Sequence, residues 1–325
     1  LGTPISPIDG HKNPFHVAGS DASGIVYAVG EKVKRWKVGD EVVVHCNQDD
    51  GDDEECNGGD PMFSSSQRIW GYETPDGSFA QFARVQARQL LPRPQHLTWE
   101  ASACYTLTLA TAYRMLCGHR PHTLKPGQNV LVWGASGGLG SMAVQLIATA
   151  GGNAIGVISE DDKRDFVMQL GARGVINRKN FNCWGQMPKV GTGEYNEWLK
   201  AAREFGKAIW TFTGKGNSPD IVFEHPGEST FPVSVLVVNR GGMVVFCAGH
   251  TMPPRFHTST ATGNVNSPPG SIPQTCMVPL PMTVRSTLTH TPGATLTHHS
   301  HTHHHSHTLI RLSSYISSTL HALPH

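Results

Sequence analysis

Asn129-Val-Leu-Val-Trp133-Gly134-Ala-Ser-Gly137-Gly138-Leu-Gly140-Ser141 is the stretch that decides how this chain folds. A short apolar strand run breaks at a glycine, three more glycines follow within six residues, and a helix-forming run from Ser141 to Ala150 continues from them. Glycine at these points permits a tight turn, lets backbone N–H groups approach an anion, and lets helix pack close on strand. The helix dipole favours negative charge at the same place. The stretch reads as a dinucleotide-binding turn, although Ala135 arguably stands at the first fingerprint position. Its candidate cofactor contacts are Gly134, Ser136, Gly137, Gly138, Leu139 and Gly140.

Downstream, Ala154–Ile158 reads as a second strand, Asp161–Leu170 as a helix, Gly174–Asn177 as a third strand and Glu194–Phe205 as a charged helix. Strands Asp220–Phe223 and Gly242–Cys247 close the series. Upstream, the mostly apolar residues 99–117 read as a buried helix ending at Gly118. Strands alternating with helices imply a doubly wound parallel sheet over residues 99–249. An NAD site places a carboxylate at the end of the second strand to accept the ribose 2′-OH. Here that end is Ser159, with Lys163 and Arg164 one turn on and Arg178 after the third strand. Ser159, Lys163 and Arg178 suit a 2′-phosphate, which favours NADPH. Glu160 keeps the ribose-hydroxyl alternative open if the strand ends one residue later.

Residues 1–98 have a different rhythm. Ile25-Val-Tyr-Ala-Val29, Val33 to Asp40 and Glu41-Val-Val-Val-His45 are short β-branched runs divided by Gly and Gly-Asp turns, as in a small β-barrel. The β pattern resumes at Ser78–Val85 after an acidic segment, Asp49-Asp-Gly-Asp-Asp-Glu-Glu55. That segment reads as a solvated loop. Cys46 and Cys56 flank it, but no Cys-x₂-Cys pair accompanies them, so no metal is expected.

The chain's 325 residues and formal net charge of +1 conceal a compositional break. Beyond Gly249 only Arg255, Arg285 and Arg311 are charged, and that segment holds 12 of the 19 histidines. Rich in Thr, Ser, Pro and His, residues 250–325 bury too little apolar surface to offset ordering and are expected to be disordered. The cluster from His298 to His307 would bind Zn2+ or Ni2+ only opportunistically. No apolar run approaches a membrane span, nothing at Leu1 resembles a secretory leader, and a near-neutral body argues against nucleic acid. Seven scattered cysteines suit reduced thiols in the cytoplasm. Leu1 is not an initiator methionine, so a beginning further upstream is expected.

His16-Val-Ala-Gly-Ser-Asp21-Ala-Ser-Gly24, Gly30 and Val38-Gly39-Asp40 are similar to the catalytic-domain signature of the zinc-free, GroES-like medium-chain dehydrogenase/reductases. Arg68-Ile-Trp-Gly-Tyr72-Glu73-Thr, Ala101–Tyr113, Trp133–Ser141, Gly156–Ser159, Gly174–Arg178 and Val222-Phe-Glu-His-Pro-Gly-Glu228 resemble the crotonyl-CoA carboxylase/reductases, up to about Gly249. The resemblance implies a cytoplasmic, NADPH-dependent homotetramer whose substrates are crotonyl-CoA and CO2 and whose product is ethylmalonyl-CoA. It adds His225 to the cofactor set and implies a CO2 pocket of an Asn, an aromatic residue, a Glu and a His. Tyr72 and Glu73 match the aromatic and Glu positions. The Asn would precede Leu1, and the His falls in the Thr/Ser/Pro-rich segment, where the pattern is missing. Two alternatives stay open: an NADPH-dependent enoyl-CoA or quinone reductase without carboxylation, and an inactive remnant that still binds NADPH.

Overall fold

The computed structural model describes residues 13–118, 120, 123–247, 276–279 and 307–312, which form two compact units divided at Leu107/Thr108. In the first unit, β1 (Ala22–Val29), β2 (Glu41–Val44), β3 (Asn47–Gln48), β4 (Arg68–Ile69), β5 (Phe82–Gln86) and β6 (Leu90–Pro92) precede a short helix, α1 (Trp99–Cys104). The main sheet runs β5, His307–Leu312, β1, β2, β6, all antiparallel, and β3 pairs with β4 apart from it. Inward-facing Ala22, Val26, Val42, Val44, Ala83, Val85 and Leu90 close on Trp36 and Trp70 to form its core.

The second unit holds most of α2 (Thr106–Cys117), then β7 (Asn129–Trp133), α3 (Gly138–Thr149), β8 (Asn153–Ile158), α4 (Arg164–Gln169), β9 (Gly174–Asn177), α5 (Gly193–Thr213), β10 (Ile221–Glu224), α6 (Phe231–Val237) and β11 (Met243–Phe246). Its sheet order is Cys276–Pro279, β11, β10, β7, β8, β9, and β7 to β11 are mutually parallel. The chain moves outward from β7 on one side and returns to its other side at β10, so the switch in winding direction lies between β7 and β10. Strands buried on both faces need apolar residues throughout. Val130, Val132, Ile221, Phe223, Met243 and Val245 serve one layer, and Leu131, Trp133, Val222, Val244 and Phe246 the other.

Several elements differ from the sequence expectation. The 99–117 helix is interrupted at Tyr105. Asp161–Lys163 is a 3-10 turn ahead of α4. α5 runs eight residues past Phe205 because Ile209 continues the buried stripe of Trp198, Ala202 and Phe205, and it stops at Gly214, whose φ is +94°. α6 has no counterpart in the sequence reading. The expected disorder of 250–325 is corrected at Cys276–Pro279, antiparallel to β11, and at His307–Leu312, between β1 and β5. There neighbouring strands supply the hydrogen bonds that composition alone does not foresee. The rest of that segment, with the His298-to-Ser306 part of its histidine cluster, lies outside the described residues.

One contact sets the spacing of α3 on β7. A Cβ at Gly140 would lie 2.2 Å from the Gly134 carbonyl oxygen and 2.8 Å from the Ala135 Cα, both backbone atoms that cannot swing aside. Gly140→Ala is therefore expected to destabilise the protein by at least ~2 kcal/mol in urea unfolding, whereas Gly185→Ala, where a Cβ meets nothing within 4 Å, is limited to the cost of its left-handed backbone.

Candidate functional site

All five parallel strands of the second unit direct their carboxyl ends to one edge, and the sequence-predicted cofactor residues lie there. After β7 the chain turns at Gly134, whose φ of +60° is strained for any residue with a side chain. Gly137 N–H donates to the Gly134 carbonyl at 2.9 Å and Ala135 N–H to the Val157 carbonyl at 3.1 Å, fixing the turn against β8. Gly137 is the N-cap of α3 and offers no side-chain cap, so the N–H groups of the first helical turn lack an intrahelical acceptor. Gly134, Gly137 and Gly138 are exposed, Ser136 and Leu139 are half-buried, and Gly140 is buried at the helix–strand contact. This is a backbone cradle at the positive end of a helix dipole, which fits the pyrophosphate of a dinucleotide.

β8 and β9 end in register, with Ile158 opposite Asn177, so Ser159 and Arg178 leave the sheet side by side. The Arg178 guanidinium lies over the Trp184 ring at 5.8 Å, and Trp184 Nε1 returns a hydrogen bond to the Arg178 carbonyl at 3.0 Å. Lys163 is exposed in the turn before α4. Arg164 is committed elsewhere: its Nη1 donates to the Val175 carbonyl at 2.8 Å. Glu160 forms an exposed ion pair with Lys179. The sequence reading does not include Lys179, although a second cation directly after Arg178 signals it.

His225 follows β10. Its Nδ1 is 3.6 Å from Cys247 Sγ, whose thiol is pushed up to about 12 by burial and by the nearby Glu224. Glu224, immediately before it, is fully buried, and the sequence reading does not single it out.

Tyr72 and Glu73 belong to the first unit. They sit on a turn that starts at Ile69, whose carbonyl accepts from both Tyr72 N–H at 3.1 Å and Glu73 N–H at 2.8 Å. The Glu73 carboxylate reaches back to accept the Ile69 N–H at 2.7 Å, which fixes one oxygen and leaves Oε1 as its other acceptor. Tyr72 is exposed, and Trp70 beneath the turn is fully buried. Gly71 at the apex has φ +71°, and a Cβ there would meet the Gly19 carbonyl oxygen at 1.9 Å. His16 Nε2 is 3.1 Å from the Gly71 carbonyl oxygen. The turn is thus packed against the Gly19 backbone and contacted by the His16 side chain.

Among the described residues no group of three His, Cys, Asp or Glu side chains is placed to hold a metal, and no helix is long and apolar enough to cross a membrane. Asp21, at the foot of β1, is missed by the sequence reading as a titratable group. Burial raises its carboxyl to about 6 from 3.8, and its Oδ1 has no hydrogen-bond partner.

Comparison with known proteins gives concordant results. Residues 4–95 match the alcohol dehydrogenase GroES-like domain and residues 138–267 the zinc-binding dehydrogenase domain. The described residues do not fit the metal in that second name, because they bring no three His, Cys, Asp or Glu side chains together. The chain is 81% identical over 251 residues to the crotonyl-CoA carboxylase/reductase of Cereibacter sphaeroides, covering 77% of this chain and 58% of that protein. It is 30% identical to an alcohol dehydrogenase of a Moraxella species, over 74% of this chain and 69% of the relative. A solved crotonyl-CoA carboxylase/reductase in complex with NADP superposes with a TM-score of 0.72 at 47% identity, over 75% of this chain and 60% of that one. The chain therefore spans about three-fifths of the carboxylase/reductases it matches.

Asp21 yields a pH prediction. Its folded-state pKa is raised, so below about 4 the carboxyl is protonated in both folded and unfolded chains and costs nothing. Stability falls as pH rises from about 4 to 6, because only the unfolded chain ionises freely there. Asp21→Asn is expected to be more stable than the parent at pH 8, by up to about 3 kcal/mol from a shift of about two pKa units, with the gain vanishing near pH 4. Thermal melts of both proteins across that range check it.

Proposed function

The chain belongs to the medium-chain dehydrogenase/reductase superfamily, on its crotonyl-CoA carboxylase/reductase branch, and we propose that it serves the NADPH-dependent reductive carboxylation of crotonyl-CoA to ethylmalonyl-CoA. The observation that carries this reading is the uncapped amino end of α3 on the same sheet edge as Ser159 and Arg178. A helix terminus takes the pyrophosphate, and cations with a hydroxyl take a 2′-phosphate.

NADPH, when bound, supplies the hydride that adds to the β-carbon of the enoyl thioester. The electron pair left at the α-carbon then attacks CO2, forming the new carbon–carbon bond and a carboxylate. Water competes by protonating the same carbon, which gives butyryl-CoA, so carboxylation requires a held CO2 and a dry pocket. The residues proposed to hold the cofactor are Gly134, Ser136, Gly137, Gly138, Leu139 and Gly140 at the pyrophosphate, Ser159, Lys163, Arg178 and Lys179 at the 2′-phosphate, and His225 after β10. Tyr72 and Glu73 are the proposed carboxylation residues. The hydrogen bond from Ile69 N–H stops the Glu73 carboxylate from swinging, so its second oxygen presents a fixed acceptor. The ring of Tyr72 offers an apolar surface beside it.

A homotetramer in the cytoplasm completes the proposal. Three buried thiols, Cys46, Cys183 and Cys247, each pushed up to about 12 by burial, are reduced and unreactive, as such a setting favours.

NADPH oxidation with crotonyl-CoA is expected to rise with added bicarbonate and to yield ethylmalonyl-CoA. Butyryl-CoA at a rate indifferent to bicarbonate would remove the carboxylase part and leave a reductase. Glu73→Gln is expected to shift product from ethylmalonyl-CoA to butyryl-CoA by about tenfold, an effect of ~1.4 kcal/mol on the competition. Arg178→Ala is expected to weaken NADPH binding by about tenfold or more, as loss of a charge-assisted contact does, while leaving NADH binding nearly unchanged. Titration of both nucleotides by fluorescence reads this directly.

A further inference from the structure

Glu224 is the last residue of β10 and is 0% exposed. Among the described residues its hydrogen-bond partners are all donors. Thr230 Oγ1 donates to Oε1 at 2.7 Å and Gly227 N–H donates to the same oxygen at 3.2 Å. Ser234 Oγ donates to Oε2 and in turn accepts from Trp133 Nε1 at 2.8 Å. The direction of this chain is set at its far end, because an indole nitrogen can only donate. The Ser234 oxygen accepts from the indole N–H, and its own proton is directed at the Glu224 carboxylate. Thr230 and Ser234 are 0% exposed and Trp133 is 1% exposed, so water offers none of these groups another partner.

The network joins two loops that the strand order separates by the switch in winding direction. Trp133 is the residue before Gly134, where the glycine turn begins, and its ring is wedged by Trp184 at 5.2 Å and Phe205 at 5.7 Å. Glu224 precedes His225, and its bonds to Gly227 and Thr230 close the loop 225–230 onto itself before α6 starts at Phe231. We infer that Glu224, through Ser234 and Trp133, is a positioning residue that sets the distance between the β7 glycine turn and the β10 loop and so tunes the seat of the dinucleotide; this rests on the proposed reading of those loops as the NADPH site. Burial raises the carboxyl of Glu224 above its ordinary value in spite of these donors. A buried acid with no cation beside it among the described hydrogen bonds and ion pairs is a costly way to fill space, and an apolar residue would pack more cheaply.

Glu224→Gln keeps the shape but replaces one acceptor oxygen with a donor. On the Oε1 side that amide faces the Gly227 N–H, which can only donate, and on the Oε2 side it turns Ser234 from donor to acceptor and leaves the serine proton without its carboxylate. Trp133→Phe removes the indole N–H together with part of a buried ring, a packing loss that the melting temperature reads separately. Asp220→Asn provides the comparison: Asp220 accepts the Asn129 N–H at 2.9 Å at the opposite, amino edge of the same two strands. With the full chain, NADPH Kd from nicotinamide fluorescence, melting temperature, and kcat/KM for NADPH and for crotonyl-CoA are measured on all four proteins. The expected result is a Kd about tenfold higher in Glu224→Gln and several-fold higher in Trp133→Phe, with the loss in kcat/KM falling on NADPH more than on crotonyl-CoA. Asp220→Asn is expected to lower the melting temperature without moving Kd. A Kd within twofold of the parent in both network variants, or an equal rise in Asp220→Asn, overturns the inference and leaves the NADPH reading standing. A parent chain that does not bind NADPH overturns both.

Discussion

The close approach of α3 to β7 is the constraint on which the second unit depends. Gly140 has to lie against the Gly134 carbonyl, with no room for a Cβ, for the helix to start directly over the strand end. That placement leaves the first-turn N–H groups at the carboxyl edge of the sheet without a side-chain cap. It also fixes the level of β7 in the sheet. β8 and β10 pair with β7, and β9 and β11 with those in turn, so each later loop emerges at a height set by the first. The stacking of Trp133 on Phe205 and the burial of Leu131 and Val222 hold α5 and α6 on the other face, so helices cover the sheet on both sides.

A similar device without a helix organises the first unit. The turn bearing Tyr72 and Glu73 is pressed against the backbone at Gly19 and Val17, where a Cβ at Gly71 or Gly77 would lie 1.9 or 2.3 Å from a carbonyl oxygen. Backbone against backbone is stiffer than side chain against side chain, because neither partner has a rotamer to change. An exposed tyrosine and a half-buried glutamate are thereby carried on a rigid base, as their proposed role toward a small, weakly bound substrate would require.

Most of the second unit is legible in the sequence for a physical reason: strands buried on both faces must be continuous apolar runs, and glycine has few substitutes at a strand-to-helix turn. Ser159 and Arg178 are legible because parallel register carries adjacent strand ends to the same place. What escapes depends on partners distant in sequence. Phe231-Pro-Val-Ser-Val-Leu-Val237 is rich in β-branched residues, yet Pro232 in its first turn and the burial of Phe231, Val233, Ser234 and Val237 make it helical. Glu224 looks like an ordinary loop charge until Thr230, Ser234 and Trp133 are seen around it. Cys276–Pro279 has four residues and no periodicity to read, and the edge of β11 makes it a strand.

The choice between a ribose hydroxyl and a 2′-phosphate turns on Glu160, and the geometry weighs against the hydroxyl. Glu160 is occupied by Lys179, so accepting a ribose proton would weaken an ion pair to make one neutral-donor hydrogen bond. A phosphate works in the opposite sense. Arg178 and Lys179 are consecutive cations directly after β9, next to the strand end that leads to Ser159. In the proposed reading a dianion bound there gains charge-assisted bonds, while Glu160, half-exposed in its pair, is returned to water at little cost. The exchange of one exposed ion pair for several bonds to a phosphate favours the phosphate-bearing nucleotide. A hydroxyl makes no such exchange.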